Sequence, residues 1–235
     1  MEEEIKYPVR INKYLALQKI CARREADELI VQGKVKINGK KAVLGEKVMQ
    51  NDKVTVEKIS KKFIYLAFNK PRGVITHSPQ EGEKSIKDVI NFDGEAFPLG
   101  RLDKDSSGLI ILTNDGRITD RLLNPKYEHE KEYIVKIKGS ITESFLNKMT
   151  NGIKLDDGYI TKPCEVQKIS NNRFSIILTE GKKHQIRRMC DKLGQVISDL
   201  KRVRVMNIKL QSLVEGDYRE IKGTELSDFL QLLEL

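Results

Sequence analysis

The stretch Gly100-Arg101-Leu102-Asp103-Lys104-Asp105-Ser106-Ser107-Gly108-Leu109-Ile110-Ile111-Leu112-Thr113-Asn114-Asp115-Gly116 passes from a charged, glycine-bounded turn straight into an apolar, β-branched run. Leu109 to Leu112 predicts a buried strand, so the turn before it presents polar side chains at the edge of a core. Catalytic groups favour that position, because the strand fixes them while the turn leaves them accessible. Asp103 is the first candidate, with Leu102 and Leu109 anchoring the turn on either side. Local spacing also leaves a second reading open, in which the Asp and Ser cluster only makes a loop.

Strand-like runs recur on both sides of this stretch: Phe63 to Phe68, Tyr133 to Ile137, Phe174 to Leu178 and Val203 to Leu210. Between them Ile118 to Leu123, Glu143 to Met149 and His184 to Leu193 carry apolar residues at three-to-four spacing, and Thr224 is placed to cap a last helix running through Leu233. Strands and helices without a regular βαβ alternation predict an α+β domain over residues 63–235, built on a mainly antiparallel mixed sheet. Neither a G-x-G-x-x-G turn nor a P-loop occurs, and no cofactor is expected.

Residues 8–57 read as a separate small unit. Ile11, Tyr14, Leu15 and Leu17 have helical spacing, and Ala26, Leu29 and Ile30 line a second helix that Gly33 stops. Strands follow: Val35-Lys36-Ile37 alternates, Asn38-Gly39 is a strong hairpin signal, and Val48 to Val56 alternates again after a turn at Gly45. Arg10, Arg23, Arg24 and Lys40 edge this unit with positive charge, a surface suited to tracking a phosphate backbone. Lys58 to Lys62 reads as an exposed linker.

The chain has 235 residues, and 43 Lys plus Arg against 34 Asp plus Glu give a net charge of +9. Basic residues cluster at Arg23-Arg24, Lys40-Lys41, Lys182-Lys183, Arg187-Arg188 and Lys201-Arg202-Val203-Arg204, which points to a polyanionic partner; each alone would also suit a solvated face. No segment reaches the roughly 20 apolar residues of a membrane span, and Met1-Glu2-Glu3-Glu4 lacks the start of a signal peptide. A cytoplasmic protein with no membrane partner is expected. Cys21, Cys164 and Cys190 are scattered and read as reduced thiols, and the scattered histidines offer no metal site.

Three further segments carry chemistry-bearing residues. Asn69-Lys70-Pro71-Arg72-Gly73 reads as a rigid turn bearing two positive charges. Glu130-Lys131-Glu132-Tyr133 brings an aromatic hydroxyl into a strand. Gly181-Lys182-Lys183-His184-Gln185-Ile186-Arg187-Arg188 opens a basic helix, whose N-terminal donors favour anions. Taken singly, each also fits an ordinary turn, strand or solvated helix.

Together these residues resemble a known family. Lys70-Pro71-x-Gly73, Arg101-Leu102-Asp103, Lys131-x-Tyr133 and Gly181-x-x-His184-Gln185-Ile186-Arg187 match, in order, the motifs of RNA pseudouridine synthases of the ribosomal-small-subunit type. Arg10-Ile11-Asn12-Lys13-Tyr14-Leu15, Arg23-Arg24-Glu25-Ala26 and Gly33 to Gly39 resemble the αL-motif RNA-binding domain first known from a small-subunit ribosomal protein. One departure is Ala22 where that domain commonly has a Ser N-cap, a loss of about 0.5–2 kcal/mol of helix stability. Gly100 to Asn114, His129 to Tyr133, and Arg187 to Cys190 with Met206-Asn207 look most like the F-type enzymes that modify large-subunit ribosomal RNA. Some F-type members continue into a basic tail, whereas this sequence ends at Leu235, so the chemistry is expected but tail-dependent RNA contacts are not.

The resemblance implies isomerisation of a uridine already in RNA: the bond from N1 to the sugar breaks and the ring is rejoined through C5. Asp103 would act on the sugar as nucleophile or base, Arg187 would be its ionic partner, and Tyr133 would stack on the uracil and relay the C5 proton. The nucleotide would be flipped out of its stack. Lys70 and Arg101 would hold flanking phosphates, and Lys182, Lys183, His184, Gln185 and Arg188 would line the RNA path. The expected partner is RNA, large-subunit ribosomal RNA foremost, with a monomeric protein. Other readings are a synthase acting on small-subunit ribosomal RNA or transfer RNA, a non-catalytic ribosome-assembly factor, and a metal-dependent nuclease using Asp103 and Asp105.

Overall fold

A computed structural model describes residues 5–57 and 62–235. Met1 to Glu4 and all of the expected linker except Lys62 lie outside the described residues. Chain contacts divide the protein into two units, residues up to Ile64 with Asn114–Arg121 and Leu235, and Tyr65–Thr113 with Leu122–Glu234.

The first unit contains β1 (Val9–Arg10), α1 (Ile11–Leu17), α2 (Arg23–Val31), β2 (Val35–Ile37), β3 (Lys40–Lys41), β4 (Lys47–Val48) and β5 (Val54–Val56). Both helices bury the stripes their spacing predicts: Ile11 and Leu15 from α1, and Ala26, Leu29 and Ile30 from α2. Ala22 is the N-cap of α2 and makes no side-chain cap bond. Asn12 Nδ2 instead ties the helix pair together, donating to Asp27 Oδ1 at 2.9 Å. Asn38 (φ 50°) and Gly39 (φ 81°) make the tight β2–β3 hairpin, both in the left-handed region that such a turn requires. The single strand expected from Val48 to Val56 is two short ones. The Asp52 carboxylate accepts the Met49 N–H at 2.7 Å and Asn38 Nδ2 at 2.8 Å, folding the chain into a turn between β4 and β5.

The remaining elements follow in order: β6 (Tyr65–Lys70), α3 (Ile86–Val89), β7 (Phe97–Leu99), β8 (Ser107–Thr113), α4 (Ile118–Leu123), β9 (Lys131–Ile137), α5 (Glu143–Asn151), β10 (Glu165–Ser170), β11 (Arg173–Leu178), α6 (Gln185–Lys192), β12 (Ile197–Val205), β13 (Ile208–Lys209), β14 (Tyr218–Glu220) and α7 (Gly223–Leu232). A mixed sheet orders them β10-β11-β9-β12-β8-β6-β14, with β13 beside β12 and β7 beside β8. Every pair is antiparallel except β8 with β12 at the centre. Helices α5 and α6 cover β9, β11 and β12: Met149, Ile186, Met189 and Cys190 pack with Phe174 and Ile176, and the Phe145 and Phe174 rings meet edge to face at 5.4 Å.

The structure corrects several sequence expectations. The expected run Val203 to Leu210 is a hairpin of β12 and β13, turned at Met206, which adopts φ 52° without being glycine. Thr224 lies inside α7, whose N-cap is Lys222 with no side-chain bond. The first strand begins at Tyr65 and runs on to Lys70, so Lys70 belongs to a buried strand and not to the turn after it.

Candidate active site

One register row crosses the centre of the sheet and places the site residues. Lys70 on β6 lies opposite Gly108 on β8, Gly108 beside Arg202 on β12, and Arg202 opposite Tyr133 on β9. Residues directly opposite in an antiparallel pair face the same side, so Tyr133 shares a face with Arg202. Two strand spacings of about 4.8 Å put the Tyr133 backbone roughly 10 Å from Gly108, where the Asp103 turn enters β8. Gly108 is required there: its φ is +105°, and a Cβ would stand 2.2 Å from the Arg202 carbonyl oxygen.

Asp103 is half-buried on this turn, which is closed by the Ser106 N–H donating to the Asp103 carbonyl at 3.0 Å. Helix α6 reaches the turn from the other side of the sequence. Its apolar stripe of Ile186, Met189 and Cys190 sits in the core, leaving the basic residues between them on the opposite side. Arg187 Nη2 donates to the Asp105 carbonyl at 2.9 Å and to Ser106 Oγ at 3.2 Å. The resemblance implies an ion pair between Arg187 and the Asp103 carboxylate; the guanidinium instead grips the Asp105 carbonyl and the Ser106 hydroxyl of the same turn. The His184 ring lies beside that carboxylate, with Nε2 3.5 Å from Asp103 Oδ1. His184 holds a left-handed φ of 53° as the N-cap of α6.

Two expected RNA contacts are corrected by burial. Lys70 is 0% exposed, and its ammonium donates to the carbonyls of Val74 at 2.7 Å and Pro71 at 2.9 Å. Burial pushes its pKa down to about 8, and the nearby Asp103 charge pulls the other way. Lys70 is thus a fixed positive charge beneath the turn, out of reach of a phosphate. Gln185 is also buried: its Oε1 accepts the Lys182 N–H at 2.9 Å and its Nε2 donates to Glu180. The Glu180 carboxylate takes the Tyr159 hydroxyl and the Lys162 N–H as well, so this network shapes the loop leading into α6.

The other basic candidates sit at the surface. Arg101, Lys182 and Lys183 are exposed, while Arg188 pairs with Asp157 at 2.8 Å. Arg10, Arg23, Arg24 and Lys40 are exposed in the first unit.

Sequence reasoning passed over Arg202, which is 5% exposed and donates from Nε to the Leu109 carbonyl at 2.7 Å. It lay hidden in the basic run Lys201-Arg202-Val203-Arg204, and its spacing of two from buried Leu200 was the available signal. Arg72 lies in the turn after β6. It donates to the Ser198 carbonyl at 3.2 Å and lies 3.9 Å from the Asp105 carboxylate. Lys131 donates to the His129 carbonyl at 2.9 Å, and burial with the neighbouring Arg202 charge pushes its pKa down to about 8.

A half-buried carboxylate at a central strand crossing, with Arg101, Lys182 and Lys183 exposed on the segments that form the site, suits an enzyme that handles an anionic polymer. The RNA pseudouridylate synthase family matches residues 64–192, and the S4 domain family matches residues 9–54. The dual-specificity RNA pseudouridine synthase RluF of Escherichia coli K12 is 40% identical over 96% of this chain and 80% of its own length. Ribosomal large subunit pseudouridine synthase B of Bacillus subtilis is 36% identical over 92% of this chain and 93% of its own. A crystal structure of a pseudouridylate synthase superposes with a TM-score of 0.70 at 29% identity, covering 95% of this chain and 99% of that one. The chain belongs to the RNA pseudouridylate synthases, with an S4 domain in front. It is an RNA pseudouridine synthase, an isomerase that converts uridine in RNA to pseudouridine.

Proposed function

We propose that the substrate is large-subunit ribosomal RNA and that Asp103 carries the isomerisation of a flipped-out uridine. The observation carrying this reading is the setting of Asp103. It is a half-exposed carboxylate on a turn gripped by Arg187, with the His184 ring beside it and buried Lys70 supplying positive charge beneath. Asp103 acts at the sugar as nucleophile or base while the N1 to C1′ bond breaks. The uracil turns, C5 bonds to C1′, the C5 proton leaves and N1 ends protonated, so the product is an isomer of the substrate. Tyr133 stacks on the uracil and takes part in removing the C5 proton. Arg187 acts by holding the turn, and Lys70 by the field of its buried charge.

The ribosomal target rests on the relatives, one named for the ribosomal large subunit and another for dual specificity. Arg101, Lys182, Lys183, His184 and Arg188 line the RNA path, and Arg10, Arg23, Arg24 and Lys40 of the S4 domain bind phosphates. The enzyme works as a cytoplasmic monomer. Among the described residues no helix is long and apolar enough to cross a membrane.

The test is to incubate transcribed large-subunit ribosomal RNA, small-subunit ribosomal RNA and transfer RNA with the protein in a chelator. New pseudouridine in the large-subunit transcript, without strand cleavage, is the expected result. Modification of the other RNAs alone would overturn the assigned substrate.

A further inference from the structure

The residue immediately before Asp103 is held by a single hydroxyl from a distant segment. Thr76 Oγ1 donates to the Leu102 carbonyl at 2.9 Å and accepts the Leu102 N–H at 3.0 Å. Thr76 is 4% exposed and Leu102 8%, so water is kept from both backbone groups. One side chain thereby gives both backbone polar groups of a buried residue a hydrogen-bond partner. Two residues further on, the Gly73 N–H donates to the Lys104 carbonyl at 2.8 Å. The segment around Thr76 and the catalytic turn therefore run side by side, with Asp103 between the two points of attachment.

We infer that Thr76 is a positioning residue for Asp103. Its hydroxyl holds the peptide units on both sides of Leu102, the second of which leads directly into Asp103, and so fixes the place from which the Asp103 side chain leaves the backbone. Thr76 is buried and its hydroxyl is spent on Leu102, so it acts through the turn and not on the RNA. Arg187 holds the other end of the same turn at Asp105 and Ser106, and between these two attachments the carboxylate keeps its position without a covalent constraint. Replacing the hydroxyl by a methyl group leaves a buried N–H and a buried carbonyl unpaired, and the turn must shift to find partners for them. Small displacements of a reacting group carry large rate penalties.

This inference rests on Asp103 being the reacting carboxylate, and the test separates the two. Thr76→Val keeps the shape of the side chain and removes the hydroxyl; Thr76→Ser keeps the hydroxyl and removes the methyl. With an RNA transcript that the wild type modifies, kcat of Thr76→Val is expected to fall about 10- to 100-fold while KM and RNA affinity stay within about twofold. Thr76→Ser should recover most of the lost kcat. Thr76→Cys, with a weakly bonding thiol in place of the hydroxyl, should fall between them and stands in for Thr76→Val if that variant does not fold. Wild-type kcat in Thr76→Val, or equal losses of kcat and RNA affinity that Thr76→Ser does not restore, would overturn the positioning role. Asp103→Asn is assayed alongside: turnover in that variant would instead overturn the reading on which the inference rests.

Discussion

The Asp103 turn and the basic face of the S4 domain use charged residues in opposite ways. Around Asp103 the cations are committed: Lys70 to two carbonyls, Arg187 to the Asp105 backbone and Ser106, Arg202 to the Leu109 carbonyl. In the S4 domain Arg10, Arg23, Arg24 and Lys40 are exposed, and no ion pair holds them among the described residues. The first arrangement fixes positions and the second supplies attraction. Under the proposed function, chemistry at the turn is expected to depend on geometry and tolerate salt, and binding through the S4 domain to depend on charge and tolerate movement.

The sharpest way to break this contrast is to disturb the backbone beneath the turn. Gly108→Ala forces a Cβ against the Arg202 carbonyl at a left-handed φ, so a stability loss of more than about 4 kcal/mol is expected in urea unfolding, with activity lost. Near wild-type stability would mean that the β8–β12 crossing is not rigid. Next comes Arg187→Ala, which frees one end of the turn. Its kcat should fall about 100-fold with KM little changed, measured as pseudouridine formed per enzyme. A change confined to KM would make Arg187 an RNA contact.

Smaller effects are expected from charge alone. Arg23→Ala combined with Arg24→Ala should raise KM and leave kcat in place. The slope of log affinity against log salt should become shallower by about 1–2, since each phosphate contact contributes about 0.7–0.9. An unchanged slope would show that these arginines do not meet phosphate. The smallest effect is on stability against pH. Lys70 and Lys131 titrate near 8 when folded and near 10.5 when unfolded, so between these values the unfolded chain binds more protons. Their contribution destabilises the fold below about pH 8 and is relieved as pH rises above it. Burial pushes the Cys164 and Cys190 thiols up, to about 11 and about 12, which acts in the opposite direction above pH 9. Urea unfolding between pH 8 and 9 should therefore show a positive stability slope that is reduced in Lys131→Met.

Local signals explain which parts of this molecule were readable in its sequence. The Asn38-Gly39 hairpin, the stripe of α6 and the apolar run of β8 each declare themselves within a few residues. Edge strand β10, with the pattern Glu165-Val166-Gln167-Lys168-Ile169-Ser170, is largely exposed and polar and does not. The hairpin after β12 turns at Met206 without a glycine, and the loop between β4 and β5 depends on Asp52 reaching back to Met49. The site divides the same way. Asp103, Tyr133 and Arg187 could be singled out by motif, but what Arg187 touches could not. Lys70 and Gln185 look like surface charge and polarity in sequence, and only the packing of β6 and of the loop before α6 buries them. Thr76 and Arg202 act through backbone groups distant in sequence, so no local pattern marks them.

The central claim is that the geometry of the turn serves one carboxylate. Asp103→Asn keeps the side chain's shape and removes its charge, so it isolates that claim from folding and from binding. Pseudouridine formation in large-subunit ribosomal RNA should be abolished, while RNA affinity and its salt slope remain those of the wild type. Continued turnover by Asp103→Asn would contradict the account.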